Sequence, residues 1–148
     1  MSTAGDSPTG CVFCDIVSET SPAHVVYSDD DVIAFLDISP VARGHTLVIP
    51  RRHSAGLDDV DPALGAPLLA AAQRVAKALK GSAFRAHGVN VALNDGRAAM
   101  QTVFHTHIHV IPRRHGDKVS FAKGLLTRRS GDLAAIGTEL RAEIAAQR

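Results

Sequence analysis

At 148 residues with 45% apolar side chains, the chain has material for one domain around one core. A formal net charge of +1, with one Tyr, five Phe and no Trp, argues against nucleic-acid binding, which needs a basic stripe or stacking rings. No apolar run approaches the roughly 18 residues of a membrane span, so no membrane partner is expected.

The first ten residues are polar and small, without the basic start and apolar core of an export signal. Residues 1–10 are expected to form a mobile tail and 11–148 a single domain, located in the cytoplasm. Cys11 and Cys14 are the only two cysteines, too few for a disulfide scaffold and in keeping with a reducing compartment. Residues 11–18 read as a short helix that ends before Ser21 and Pro22. Residues 25–27 and 32–36 read as two strands joined by a turn, and residues 46–49 as a third, stopped by Pro50. Such closely spaced strands favour hairpins and an antiparallel sheet.

Asp61 and Pro62 are a helix start, N-cap followed by Pro at the first helical position. Leu64, Leu68, Ala71, Val75 and Leu79 then recur at helical spacing up to Gly81. Pro67 predicts either a distorted first turn or a regular helix that begins near it. Residues 89–93 predict a strand, residues 94–96 a turn, and residues 103–111 a further strand. Leu133, Ile136, Leu140 and Ile144 support a last helix over 132–146. The fold class is α+β, with about five strands and two main helices.

The 103–111 strand carries His105, His107 and His109 at alternate positions, which places them on one face. Imidazoles bury poorly because each needs partners for two ring nitrogens, so the run points to metal or catalytic chemistry. The outer pair start roughly 13 Å apart, too far for one ion to take all three. Cys11 and Cys14 offer a half-site for tetrahedral zinc, completed by His53 and His105. That zinc would be structural, tying the N-terminal segment to the sheet. A redox dithiol is the rival, but it normally opens a helix after a strand in a βαβ unit; two plain thiols are the third reading.

His107 and His109 then remain for chemistry. A neutral imidazole is a competent nucleophile near pH 7, and attack on phosphorus splits one displacement into two. A second histidine can donate to phosphoryl oxygens. Gln101 and Thr102 could add uncharged donors from just upstream, and Asn94 and Gly96 could reach in from the preceding turn.

The run from His105 to Ile111 resembles the signature of the histidine-triad (HIT) nucleotide hydrolases and transferases, with Thr106 a mild departure at an apolar position. The resemblance extends to Phe35, Leu36, Asp37, Ile38, Ser39 and Pro40, to the run from Gly44 to His53, to Asn94-Asp95-Gly96 and to Gln101-Thr102-Val103. It covers roughly residues 11–113. Met100 departs from the family's usual Gly, a position where a positive φ or room for substrate is expected.

The resemblance implies a five-stranded antiparallel sheet with two helices, paired as a homodimer into a ten-stranded sheet. It implies that His107 attacks the α-phosphorus of a purine nucleotide, that His109 contacts the phosphate, and that His45 supports that network. Asp37 would hold the ribose hydroxyls, and Val12, Phe13, Ile16, Phe35 and Ile38 would line the base pocket. Asn94, Gln101 and Thr102 would contact phosphate or leaving group. Bacterial-type members bind zinc through residues matching Cys11, Cys14, His53 and His105.

The expected activity is hydrolysis of nucleoside phosphoramidates or adenylated substrates through a nucleotidyl-His107 intermediate. Diadenosine polyphosphate cleavage at the same site, a purine-nucleotide-binding module with little activity, and a catalytic zinc at the triplet are the alternatives. His24, His87 and His115 carry no expected role.

Overall fold

Two strands with every residue buried organise the protein. In the computed structural model, which describes residues 9–128 and 131–147, β2 (Val32–Leu36) and β3 (Thr46–Pro50) are buried along their whole length. Apart from Thr46 both strands are apolar throughout rather than at alternate positions, the mark of a sheet covered on both faces. The other strands are β1 (Val25–Ser28), β4 (Gly88–Leu93) and β5 (Ile108–Arg113). All pairings are antiparallel, in the order β1-β2-β3-β5-β4.

On one face, Val32, Ala34 and Leu36, with Val48 and Val110, pack against two helices, α2 (Gly65–Leu79) and α4 (Leu133–Ala145). Leu68, Val75 and Leu79 come from the first helix, and Ile136, Leu140 and Ile144 from the second. Each such side chain contributes about 1.5–3 kcal/mol on full burial. On the other face, Ile33, Phe35, Leu47 and Ile49 meet Phe13 and Ile16 of the short helix α1 (Val12–Val17). The strand pleat thus divides β2 between two cores, one residue to each in turn.

Local chemistry sets the helix boundaries. The Cys11 side chain accepts the Cys14 N–H at 3.3 Å, so the thiol itself caps α1. Asp61 accepts the Ala63 N–H at 2.9 Å and opens a single 3-10 turn, Pro62–Leu64, which runs into α2. Pro67 is the third residue of α2, inside the first turn where no N–H partner is required, so the helix is regular through it.

One expectation needs correction. The histidine strand is shorter and later than its composition predicts: β5 spans Ile108–Arg113, and residues 103–107 lie outside the ladder. Their polar groups bond to loops instead, with the Thr106 N–H donating to Ser54 O at 2.7 Å. The short N-terminal helix and the two main helices are present as α1, α2 and α4; a further helix, α3 (Lys118–Leu126), buries none of its residues and so carries little periodic signal. Of the expected tail, residues 1–8 lie outside the described residues, and Thr9 and Gly10 are exposed.

Candidate active site and metal centre

A row of paired residues crosses the sheet on the α1 side: Phe35, Leu47 and His109 are register partners in turn on β2, β3 and β5. The Asp37 N–H donates to His45 O at 3.0 Å, which prolongs the β2–β3 pairing by one step. By the strand period, Asp37 and His45 fall on the same face as His109. Gly44 makes the approach to His45 possible. Its φ is +97°, and a Cβ there would lie 2.7 Å from Leu79 Cδ2.

Hydrogen bonds fix the protons of this pair. The Val41 N–H, which can only donate, meets His45 Nδ1 at 3.0 Å. The proton of neutral His45 therefore sits on Nε2, which donates to His109 Nδ1 at 2.9 Å. Neutral His109 is left with its proton on Nε2. Asp37 Oδ2 is 3.6 Å from His45 Nε2, a longer and secondary contact.

Burial keeps both rings neutral. It pushes His45 down to about 3 and His109 down to about 4, with the neighbouring imidazoles and Arg128 adding to the depression. Burial raises the Asp37 carboxyl above its ordinary value, opposed by the Ser39 N–H and by Arg128. Asp37, His45 and His109 also place ligand-type atoms within 4.8 Å of one another. Their imidazoles already spend a proton and a lone pair on each other, so this cluster is a proton network.

His107 is held from the other side. Its Nδ1–H donates to His105 O at 2.7 Å, which leaves the Nε2 lone pair uncommitted by that bond. The ring stands 5.0 Å from that of His109 and edge-on to Phe13 at 5.2 Å, centre to centre. His105 is itself oriented by Pro50 O, which accepts its Nε2–H at 2.8 Å. That bond turns the His105 Nδ1 lone pair toward Cys11, Cys14 and His53.

These four residues are positioned for a metal ion. His105 Nδ1 lies 3.6 Å from each sulfur and 3.3 Å from His53 Nδ1, which is 3.3 Å from Cys14 Sγ. A tetrahedral zinc, with bonds of about 2.3 Å to sulfur and 2.0 Å to nitrogen, spaces S and N ligands roughly 3.5 Å apart and two N ligands roughly 3.3 Å apart. The edges agree. Burial lowers His105 to about 4, which keeps it in the neutral form a metal requires.

Residues 18–116 match the HIT domain family. The chain belongs to the histidine-triad (HIT) family. It is 48% identical over 137 residues to an uncharacterized HIT-like protein of Mycobacterium tuberculosis, covering 93% of this chain and 94% of that one. A zinc-bound histidine triad family protein from Mycobacterium smegmatis has the same fold, with a TM-score of 0.84 and 49% identity over 92% of this chain and 94% of that one. Adenylylsulfatase HINT3 from Arabidopsis thaliana is 37% identical over 107 residues, 72% of this chain and 54% of that protein.

Within this HIT domain the other expected contacts divide. Phe13, Ile16 and Phe35 are buried against one another beside the histidines, whereas Val12 and Ile38 are exposed and can form only a rim. Asn94 is half-buried and Thr102 exposed, both open to a ligand. Gln101 is tied into its own loop. Its amide donates to Ala55 O at 2.7 Å and Val103 O at 3.0 Å and accepts the Gly96 N–H at 2.8 Å. Both donor hydrogens bond inside the loop, so Gln101 braces the segment that leads into the histidines.

Two features went unread in the sequence. Thr106, whose hydroxyl departs from the HIT pattern, meets Ser54 Oγ at 2.7 Å in a buried pair. Arg128 reaches the loop of Asp37 from far along the chain, 4.0 Å from Asp37 Oδ2, and no motif marked it. Met100 has φ 72° and ψ 22°, the left-handed conformation its position calls for, and its side chain is exposed.

Proposed function

We propose that this protein hydrolyses nucleoside phosphoramidates or adenylated purine nucleotides through a covalent nucleotidyl-His107 intermediate. The observation that carries the reading is the Nδ1–H of His107 bound to His105 O at 2.7 Å, which presents Nε2 as the nucleophile. Nε2 attacks the α-phosphorus, and the bond to the leaving group breaks with its electron pair. Water then attacks the same phosphorus, releases the nucleoside monophosphate and returns His107 to its neutral form.

His109 donates its Nε2–H to the phosphoryl oxygens, held in that tautomer by His45 and the Val41 N–H. Asp37 takes the ribose hydroxyls, Asn94 and Thr102 contact the phosphate, and the base lies against Phe13, Ile16 and Phe35 with Val12 and Ile38 at the rim. Zinc held by Cys11, Cys14, His53 and His105 supplies structure and stands off the reaction path. Its thiolate ligands suit the reducing cytoplasm. A second copy of the chain would pair along β4, the exposed edge strand with Val91 outward, to give a ten-stranded sheet.

The test is to incubate the protein with an adenosine phosphoramidate, quench in alkali to preserve the acid-labile P–N bond, and map the adduct. AMP on His107, and its loss with turnover in His107→Ala, is the expected result. Unchanged turnover in His107→Ala overturns the reading. AMP binding with neither adduct nor turnover would mark a binding module instead. The likeness to an adenylylsulfatase favours a second leaving-group class, an acid anhydride, at the same site.

A further inference from the structure

We propose that Thr106 is a positioning residue for the nucleophile: its bonds to Ser54 O pin the peptide whose carbonyl holds His107 with Nε2 free. The inference rests on the nucleotidyl-histidine reading and adds to it the group that sets the tautomer of the attacking ring.

One peptide unit, from His105 C=O to Thr106 N–H, makes two bonds at once. Its carbonyl accepts the His107 Nδ1–H at 2.7 Å, and its N–H donates to Ser54 O at 2.7 Å. A trans peptide is planar with these two groups pointing opposite ways, so holding the N–H fixes the direction of the carbonyl. Among the described residues no strand partner does this, because β5 begins only at Ile108. The bond from His105 Nε2 to Pro50 O holds the ring, but it does not set the peptide that follows.

The Thr106 hydroxyl is a second hold on the same acceptor. Oγ1 donates to Ser54 O at 3.2 Å and lies 2.7 Å from Ser54 Oγ. Its one proton is then spent, so Ser54 Oγ–H donates to Thr106 Oγ1. Ser54 and Thr106 are 4% and 1% exposed, so water does not compete for these groups. With Ser54 opposite it, a valine at 106 keeps the N–H bond but leaves a buried hydroxyl without its acceptor. Turning Ser54 toward water relieves that cost and carries its carbonyl off the Thr106 N–H.

The tautomer is what the seam protects. His107 Nε2 can attack phosphorus only while the ring proton sits on Nδ1. Which nitrogen carries the proton is set by the bond the other end of the ring makes. Once the His105 carbonyl swings away, the bond that favours Nδ1–H is lost and Nε2 takes the proton.

The experiment records long-range ¹H–¹⁵N spectra of histidine-labelled, zinc-loaded wild type, Thr106→Val and Thr106→Ser at about pH 8, where imidazole is neutral. Zinc content and circular dichroism are matched, and Thr106→Ala repeats the comparison if valine is not accommodated. Wild type and Thr106→Ser should show His107 protonated at Nδ1; Thr106→Val should show Nε2–H. With adenosine 5′-phosphoramidate, kcat in Thr106→Val should fall about 10-fold at little-changed KM, the scale of a misoriented reacting group, and Thr106→Ser should recover most of it. A His107 tautomer unmoved in Thr106→Val overturns the proposal, whatever the melting temperature does. A shifted tautomer with unchanged kcat instead sinks the reading of Nε2 as nucleophile and leaves the seam's hold on the ring standing, since the spectrum needs no substrate.

Discussion

Ser54 Oγ and Thr106 Oγ1 lie 2.7 Å apart in a buried seam, each one residue beyond a metal-ligating histidine. Together with the Thr106 N–H bound to Ser54 O, this pair stitches the His53 strand exit to the His105 segment. Thr106→Val keeps the shape but strands the Ser54 hydroxyl in an apolar setting. A loss of about 1–3 kcal/mol is expected in urea unfolding of the zinc-loaded protein. Thr106→Val with Ser54→Ala should cost less than the two changes added. Strict additivity would show that the hydroxyls stabilise the fold independently.

Acid should destabilise the protein through His45. Its folded value is about 3, against an ordinary value near 6.5, so between these the unfolded chain binds a proton that the folded chain does not. The contribution is complete above about pH 6.5 and is lost as pH falls toward 3, at up to about 1.4 kcal/mol per pH unit. Urea midpoints at pH 7, 6 and 5 measure it. Acid also weakens metal binding, so the decisive quantity is the slope in His45→Gln, which should be shallower than in wild type.

Metal removal should act on the fold before it acts on the chemistry. Replacing Cys14 by Ala, or adding a strong chelator, should lower Tm by roughly 6–12 °C, the equivalent of about 3 kcal/mol in a chain of this size. Activity should decline on the time course of loosening followed by circular dichroism. Instant loss with the fold intact would place the metal in the reaction.

Met100→Gly should stabilise the protein. The left-handed conformation at φ 72° costs a side-chain-bearing residue about 1–2 kcal/mol, and the extra freedom of Gly in the unfolded chain returns about 0.5–1 kcal/mol of that. With the side chain 74% exposed, no packing is lost. A net gain of about 0.5–1 kcal/mol is expected in thermal unfolding.

The strands through residues 25–49 were legible because β-branched and apolar residues fill them and turn residues bound them. The metal ligands were legible because Cys11 and Cys14 have a specific spacing and the histidines a specific pattern. The end of the histidine strand was not. Val103, Thr106 and Ile108 have the same β preference inside the ladder and outside it, and what excludes residues 103–107 is bonding to Ser54 and Pro50, which local composition does not encode. Helix α3 escaped for the opposite reason: with none of its residues buried, no periodicity had to be kept. The loop bonds of Gln101 were not legible, because an amide that braces a loop carries no spacing or pattern in sequence.

The metal ligands are spread along the chain, and that spread sets an order of events. Cys11 and His105 are 94 positions apart. Helix α1 has six residues, well below the roughly 12–15 that an isolated helix needs to hold its shape. Its buried partners lie on β2 and β3, and its metal partners lie at His53 and His105. At about 5–20 residues per second, the ribosome takes roughly 5–20 s to make the chain between the first ligand and the last. The first helix to be synthesised is therefore among the last to be secured, and its thiols wait exposed until His105 arrives.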